Sequence, residues 1–436
     1  MQAFKSPDSF AHLSQRIEWN VAAKPHITSW EDMPSTLVKE VGCFLSLEDI
    51  QQIRHVDRRC WRIFTSPTFF NFRRTNSTQD NEVLCFVSDR WLSPAPQGLV
   101  MAYIPSMHSW RAFGIQFEKN GSVNNTVSGQ RGYENFQTNP ICSGSISDSN
   151  IVYLPKNGEI FYLGGRLQED TSCNNNVWSY SFFTNQWQQQ PSMNRSRSGT
   201  GLSSAAVVGS NIFVIGADSE SEDERHKNDP CHCECLLDAG LKGSKWVDIP
   251  SAPVDFRPSR KGVAVTHNRF VSTFMFTQIY NGESVSGFIY DSKMLSWTGI
   301  PLPKAHIRPY FFPLLCNMVT FQEKVAFIRS DVSSVFIMFD PLTYEWTSHF
   351  AAGRRCLNID SSLFVYHGQI SMYVPHAGNS GNTNHAAPNN CPLECSVFWQ
   401  LIQNKESRSF HWQPLHLQPL LGIDHRTHLR FFTAFL

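Results

Sequence analysis

Apolar and polar residues alternate with two different periods along the chain, and the period changes near residue 82. Between residues 28 and 72, apolar positions recur every three or four residues, which predicts a small group of amphipathic helices. The positions in this series are Leu37, Val41, Phe44, Leu45, Leu47, Ile50, Ile53 and Val56. Ser66-Pro67 ends the helical region, because the residue before a proline disfavours helical torsion angles.

After residue 82 the apolar runs become short and are separated by Gly, Pro, Asn and Ser, which predicts β-strands and turns. The clearest runs are Val83–Val87, Ile160–Leu163, Ile212–Ile215, Val325–Ile328 and Val335–Phe339. The adjacent Gly164 and Gly165 suit a tight turn after one of these strands. The sequence therefore predicts a mainly β protein with a small helical domain at its N-terminal end.

A repeat is present within the β region, where an aromatic residue precedes a tryptophan by seven positions. The four pairs are Tyr103 and Trp110, Tyr180 and Trp187, Tyr290 and Trp297, and Phe339 and Trp346. Two weaker copies have longer turns, with Leu237-Asp238 before Trp246 and Leu401 before Trp412. The six tryptophans recur about every 50–80 residues, near the length of a propeller repeat. We expect the first residue of each pair to end one strand and the tryptophan to begin the next.

The β region departs from a complete repeat at both ends, because its first repeat is one strand short and an additional segment follows its last repeat. The first repeat has three predicted strands, Val83–Val87, Leu99–Ile104 and Trp110–Phe113, and no strand precedes them. After Trp412 the chain continues into the aromatic segment Leu429 to Leu436, whose length suits one strand. We expect this C-terminal segment to return and complete the first sheet, because an open ring would leave an exposed strand edge.

Both regions resemble known families. Residues 28–72 are similar to an F-box, whose opening Leu-Pro is matched by Met33-Pro34 and whose Ser-Pro-x-Phe is matched by Ser66-Pro67-Thr68-Phe69. The segment from Ile53 to Phe64 fits the F-box helix without gaps, with Cys60 where the family usually has Trp. Residues 82–436 resemble a six-bladed kelch-type β-propeller. This division leaves residues 1–27 as an N-terminal extension and residues 73–81 as a linker.

The resemblance implies a function in ubiquitination. An F-box docks on a Skp-type adaptor and thereby joins a cullin-RING ubiquitin ligase, while the partner domain binds the target protein. The residues expected to bind the adaptor are Met33, Pro34, Leu37, Val41, Leu45, Leu47, Ile50, Ile53 and Val56. A helical domain of about 45 residues is too small to bury all of them, which agrees with docking. The alternatives are helices that pack against the propeller, a scaffold unrelated to ubiquitination, and a propeller enzyme with a metal or small ligand.

Seven arginines follow the tryptophans, in loops that would share one face of a propeller. They are Arg195, Arg197, Arg257, Arg260, Arg308, Arg354 and Arg355. Guanidinium groups pair well with carboxylates and phosphates, so this face is a candidate site for an acidic or phosphorylated target. The alternative is that the arginines hold the loops by bonding backbone carbonyls or neighbouring carboxylates.

The amino-acid composition argues against several classes of function. Lys and Arg total 37, as do Asp and Glu, and this zero net charge argues against nucleic-acid and polybasic membrane binders. No signal peptide or membrane span is read, so we expect a cytoplasmic or nuclear protein with reduced cysteines. Cys231, Cys233 and Cys235 are the nearest approach to a metal motif, but their alternation suits a buried strand face better than one ion. We therefore expect no cofactor, no metal and no catalytic site.

Overall fold

The structure is a computed structural model. It describes most of the helical region and most of the β region, as a series of separate segments. The described residues are 33–45, 49–50, 53, 56–66, 68–69, 72–73, 82–88, 100–104, 109–113, 146–147, 150–167, 174–182, 186–197, 203–216, 231–253, 263–307, 316–329, 332–352, 362–374, 398–404, 409–415, 417 and 429–435. The predicted N-terminal extension, residues 1–27, lies outside them. The fold is mainly β, as the sequence predicts, with helices near the N-terminal end.

Two helices have both ends within the described residues, α1 (Ser35–Phe44) and α2 (Arg58–Phe64). The strands up to residue 216 are β1 (Glu82–Ser88), β2 (Val100–Ile104), β3 (Ser109–Phe113), β4 (Ile146–Ser147), β5 (Asn150–Leu154), β6 (Glu159–Leu163), β7 (Arg166–Leu167), β8 (Val177–Ser181), β9 (Gln186–Gln190), β10 (Ser203–Val208) and β11 (Asn211–Gly216). The next are β12 (Cys231–Leu237), β13 (Lys245–Ala252), β14 (Ala264–Thr266), β15 (Phe270–Tyr280), β16 (Glu283–Asp291), β17 (Ser296–Pro301), β18 (Cys316–Phe321), β19 (Lys324–Arg329), β20 (Val332–Asp340) and β21 (Glu345–Ala352). The last are β22 (Ser362–Tyr366), β23 (Gln369–Tyr373), β24 (Phe398–Gln403), β25 (Phe410–Pro414) and β26 (Leu429–Phe435).

The strands form six groups of four antiparallel strands, which we number sheets 1 to 6 along the chain. Sheet 1 has the order β26-β1-β2-β3, sheet 2 is β5-β6-β8-β9, sheet 3 is β10-β11-β12-β13 and sheet 4 is β14-β15-β16-β17. Sheet 5 (β18 to β21) and sheet 6 (β22 to β25) join into one eight-stranded sheet through a short parallel pairing of β21 with β25. A two-stranded pair, β4 with β7, stands apart from these groups.

The C-terminal strand completes sheet 1. It pairs antiparallel with β1 along its whole length, from Glu82 opposite Phe435 to Ser88 opposite Leu429. This pairing confirms the predicted return of the C-terminal segment to the first sheet. Without it, the apolar strand β1, in which Val83 to Phe86 are buried, would present an unpaired edge.

The first strands of the six sheets contact one another in a cycle. The contacts run from β26 to β5, then to β10, β14, β18 and β22, and from β22 back to β26. Apolar side chains of neighbouring sheets form shared clusters, such as Phe274 of sheet 4 against Phe327 and Trp346 of sheet 5. This arrangement fits a propeller-like fold.

The aromatic repeat has the geometry that the spacing predicts. In five of the six copies the tryptophan lies directly across an antiparallel strand pair from its predicted partner, and the exception is Trp246. The partner of Trp246 is Leu236, one residue earlier than expected, because its longer turn shifts the register. In the other weak copy Leu401 does face Trp412.

Three of these tryptophans bond to the preceding sheet. The indole Nε1 groups of Trp246, Trp297 and Trp346 donate to the carbonyls of Pro191, Pro250 and Pro301 at distances of 2.7, 2.8 and 3.1 Å. Each proline stands four residues after the tryptophan of its own sheet. At that position sheet 5 has Phe350, and its strand β21 continues into the parallel pairing with β25. Sheets 5 and 6 are joined by this backbone pairing and by apolar packing, such as that of Phe336 against Phe410.

Candidate protein-docking site

We define the helical unit as residues 33–73. In this unit α1 and α2 each begin after a residue that suits the start of a helix. Pro34 precedes α1 with an extended backbone, which suits the start of a helix. Asp57 is the N-cap of α2, and its carboxylate accepts a hydrogen bond from the backbone N–H of Cys60 at 2.6 Å. That bond is the main reason why the pKa of Asp57 lies below its usual value. These caps set where the two helices start and therefore how their side chains meet.

A small core holds the helical unit together. Its buried members are Val38, Ile50, Cys60, Ile63, Phe64 and Phe69, with Met33, Leu45 and Ile53 half-buried against them. Gly42 allows α1 to approach the aromatic rings closely, because a Cβ there would lie 2.5 Å from Phe64 and 2.9 Å from Phe69. The two rings meet edge to face with centroids 5.0 Å apart.

Two arginines tie the ends of the helical unit. The guanidinium of Arg59 donates to the carbonyl of Met33 and to Ser35 Oγ, so α2 holds the start of α1. Arg73 is buried and donates from Nη1 to the Gly42 carbonyl at 2.8 Å, and burial lowers its pKa to about 10. The helical unit therefore extends one residue into the predicted linker, and residues 74–81 of that linker lie outside the described residues.

Four large hydrophobic side chains of this unit face solvent. The exposed fractions are 36% for Val41, 65% for Phe44, 70% for Val56 and 51% for Trp61. Val41 and Phe44 lie three residues apart on α1 and so share one face. An exposed apolar surface on a unit that already has its own core usually marks a partner-binding site.

The predicted adaptor-binding residues divide into three groups. Pro34, Val41 and Val56 are exposed, while Met33, Leu37, Leu45 and Ile53 are half-buried. Ile50 is only 3% exposed and serves the core, and Leu47 lies outside the described residues. Sequence reasoning left out Phe44 and Trp61. The helical spacing of Phe44 from Val41 was a usable signal, whereas the exposure of Trp61 depends on how α2 packs.

The arginine face has one member whose role is clear from its contacts. Arg197 is fully buried, and its Nε and Nη1 groups donate to Glu234 Oε1 at 2.8 Å and to the Gly216 carbonyl at 2.6 Å. The second carboxylate oxygen of Glu234 accepts the backbone N–H of Asn194 at 2.8 Å. These contacts match the alternative in which an arginine holds a loop by bonding a backbone carbonyl and a carboxylate. Arg197 is therefore not available at a surface. The backbone carbonyl of Arg197 also accepts a hydrogen bond from the N–H of Gly165. Gly164 and Gly165 both have positive φ and form the turn after β6.

The structure shows less about the other arginines of the predicted face. Arg195 is half-buried, two residues from Arg197. Arg257, Arg260, Arg308, Arg354 and Arg355 lie outside the described residues. The predicted arginine face therefore stays a prediction for these positions, and Arg197 is removed from it because its guanidinium serves the packing of sheet 2 against sheet 3.

Two of the three cysteines of β12, Cys233 and Cys235, are buried, as their spacing predicts. They form no disulfide and have exposed fractions of 2% and 1%, and burial raises the pKa of Cys235 to about 12. Within the described ranges, no three His, Cys, Asp or Glu side chains come together in a way that could hold a metal ion. None of the helices in those ranges is both long enough and apolar enough to span a membrane.

A scan against models of protein families found no match, and a search of curated proteins likewise found none. The exposed apolar side chains Val41, Phe44, Val56 and Trp61 of the helical unit are suited to binding a partner. Such side chains contribute to affinity by leaving water when a partner covers them.

Proposed function

We propose that the protein is the substrate-recognition subunit of a Skp-cullin-F-box type ubiquitin ligase. In this proposal the helical unit docks on a Skp-type adaptor, and the β region binds the target protein. The protein then performs no chemistry of its own, and it raises the effective concentration of target lysines at the ubiquitin-charged enzyme. The observation that carries the proposal is the exposure of Val41, Phe44, Val56 and Trp61 on a unit with a separate core.

We further propose that the six sheets are the blades of a kelch-type propeller closed by β26. The cyclic contacts of the six first strands support this, as does the pairing of β26 with β1. The recurring tryptophan bonds to a carbonyl of the preceding sheet also support it, since they are a repeated link between blades. A closed ring suits a receptor, because it supplies a rigid base for the loops that meet a target.

The docking surface can be tested with charges placed on exposed positions. In the double variant Phe44→Asp and Val56→Asp, both side chains already face solvent, so the helical core should remain folded. A desolvated apolar anchor contributes about 2 kcal/mol or more, so the loss of even one should weaken adaptor binding at least about 30-fold. The measurement is the Kd of the purified full chain for a Skp-type adaptor, by calorimetry.

The matched control is Leu241→Asp and Met294→Asp, which places the same charge on exposed apolar side chains of the sheets. It should bind the adaptor like the natural chain. Equal binding by the Phe44 and Val56 variant would refute the docking site. A different result would support the scaffold alternative. In that result the natural chain does not bind the adaptor but binds another partner, and the Phe44 and Val56 variant no longer binds that partner.

A further inference from the structure

Apart from the helical unit, the described residues expose large hydrophobic side chains almost entirely at three turns. These are the turns between the third and fourth strands of sheets 3, 4 and 5. The side chains are Leu241, Met294, Leu295, Leu342 and Tyr344, with exposed fractions of 47%, 68%, 59%, 55% and 39%. We call this set the turn surface. Single exposed apolar residues need no explanation, but the same recurrence in three neighbouring sheets does.

A chain of hydrogen bonds places the three turns at one end of neighbouring sheets. The first turns of sheets 3 and 4 are joined by the N–H of Gly209, which donates to Asn268 Oδ1 at 2.6 Å. Those of sheets 4 and 5 are joined by the N–H of His267, which donates to Glu323 Oε2. In an antiparallel sheet the first and third turns lie at the same end, so these bonds bring the third turns into one row.

Each of these sheets also links its first turn to its third. In sheet 3 the hydroxyl of Ser210 donates to Asp238 at 3.3 Å. In sheet 4 Arg269 bonds both carboxylate oxygens of Asp291, at 2.7 and 2.5 Å. In sheet 5 Lys324 Nζ lies 3.2 Å from Asp340.

The turns are held in shape from within, and they carry strain. Asp291 accepts the backbone N–H of Met294, and Asp340 accepts that of Leu342. Leu295 and Tyr344 occupy the same position, two residues before the tryptophan, with φ values of 52° and 57°. Bulky side chains rarely adopt this left-handed backbone, which favours Gly or Asn. Tyr344 packs edge to face against Phe339, but Leu295 is exposed over 59% of its surface, and a strained apolar side chain left this exposed points to function.

The charges around the turn surface are mostly positive in sheets 3 and 4. Lys242, Lys245 and Lys293 are exposed beside the apolar side chains, and Asp291 is held by Arg269. Three further acidic side chains are exposed, Asp238 beside Ser210 in sheet 3, and Glu323 and Glu345 in sheet 5. The positive charge of the surface is therefore concentrated in sheets 3 and 4.

We infer that the turn surface binds an acidic, amphipathic segment of a partner protein. The apolar side chains of that segment would lie among those of the turn surface, and its carboxylates would face the three lysines. The identity of the partner as a ubiquitination target rests on the proposed function, whereas the binding surface does not. Arg195, the half-buried member of the predicted arginine face, follows the fourth strand of sheet 2 and not a third turn, so the turn surface is a separate site.

The test is a selection of displayed random 16-residue peptides on the purified full chain. We expect enriched peptides to combine Leu, Phe or Ile with several Asp or Glu, and to bind less tightly as salt is raised. Met294→Ser with Leu342→Ser should weaken the best peptide at least about tenfold, and so should Lys242→Glu with Lys293→Glu. The Phe44→Asp and Val56→Asp variant should bind it normally, which separates this proposal from adaptor docking.

A second variant separates binding from folding. Leu295→Asn with Tyr344→Asn relieves the left-handed strain, so it should raise the melting temperature while it weakens peptide binding. Unchanged peptide binding by this variant and the serine variant would overturn the proposal, as would enrichment of basic peptides or of none. Binding to phosphatidylserine vesicles that the serine variant loses would assign the surface to a membrane instead. A concentration-dependent dimer lost in that variant would assign it to self-association.

Discussion

The helical unit and the sheets expose apolar residues in different ways. In the helical unit, three of the four exposed side chains, Val41, Phe44 and Trp61, lie on the helices themselves, next to a core of about six buried residues. In the described parts of sheets 3 to 5 the strands bury most of their apolar residues between neighbouring sheets. The exposed large hydrophobic side chains there lie at turns held by ion pairs and hydrogen bonds, except for Phe350 on β21. A small unit leaves apolar surface uncovered because it lacks interior. The sheets have ample interior, so exposure there needs another reason.

The largest expected effect comes from removing the strand that completes sheet 1. Deletion of residues 428–436 leaves one edge of β1 unpaired and exposes the first strands that β26 contacts, β5 and β22. We expect aggregation or the loss of a cooperative thermal transition for the sheets, measured by calorimetry and light scattering. The helical unit, which has its own core, should keep its helical circular dichroism. A soluble truncated chain of equal stability would contradict closure by β26.

The next effect concerns the buried ion pair between sheets 2 and 3. Glu234→Gln removes the charge that Arg197 needs, and breaking a buried pair typically costs about 3–5 kcal/mol. Lys324→Ala is the matched control, because its pair with Asp340 is partly exposed and such pairs contribute less than about 1 kcal/mol. Chemical denaturation measures both. Similar losses in the two variants would show that burial of Arg197 is not what makes its pair important.

A smaller effect is expected in the helical unit from one added methyl group. Gly42→Ala places a Cβ against Phe64 and Phe69, and overpacking of this kind costs about 1–3 kcal/mol despite the better helix propensity of Ala. Adaptor binding should weaken with it, while the melting transition of the sheets should not move. Gly243→Ala is a control in a turn with open space, although its positive φ adds backbone strain. A shift of the sheet transition by Gly42→Ala would mean that the two regions unfold together.

The smallest effect is pH-dependent and lies at the joint of sheets 2 and 3. Glu159 begins the second strand of sheet 2, at the position where sheet 5 has Lys324. Its Oε2 is buried and unpartnered beside Gly240, and the Asn157 amide bonds the Ala239 carbonyl instead. Burial therefore raises the pKa of Glu159 to about 7, and the nearby Asn157 offsets only part of the rise.

The sign follows from proton binding. Between about pH 4.5 and 7 the folded chain binds more protons at Glu159 than the unfolded chain, so stability falls as pH rises through that window. Glu159→Gln removes this penalty and should raise stability by about 1–2 kcal/mol at pH 8, with little change at pH 4. Denaturation at the two pH values measures it. An equal gain at both would exclude ionisation as the cause.

The sequence predicts what is periodic and misses what depends on distant partners. The offset of seven residues between Tyr290 and Trp297 reflects a strand pair joined by a short turn, so spacing alone predicts it. The return of Leu429 to Phe435 was predictable because sheet 1 lacked a strand. The burial of Arg197 was not, since Glu234 comes from another sheet and no local pattern marks the pair. The left-handed Leu295 and Tyr344 were missed because nothing in an apolar residue announces a positive φ.

The pairing of β26 with β1 also has a consequence for synthesis. The ribosome makes β1 some 340 residues before its partner β26. At about 5–20 residues per second, the apolar strand β1 waits for about 20–70 s with one edge unpaired. During that time it can pair with the wrong strand or with another nascent chain. A chaperone that covers this edge until β26 is made would prevent such pairing.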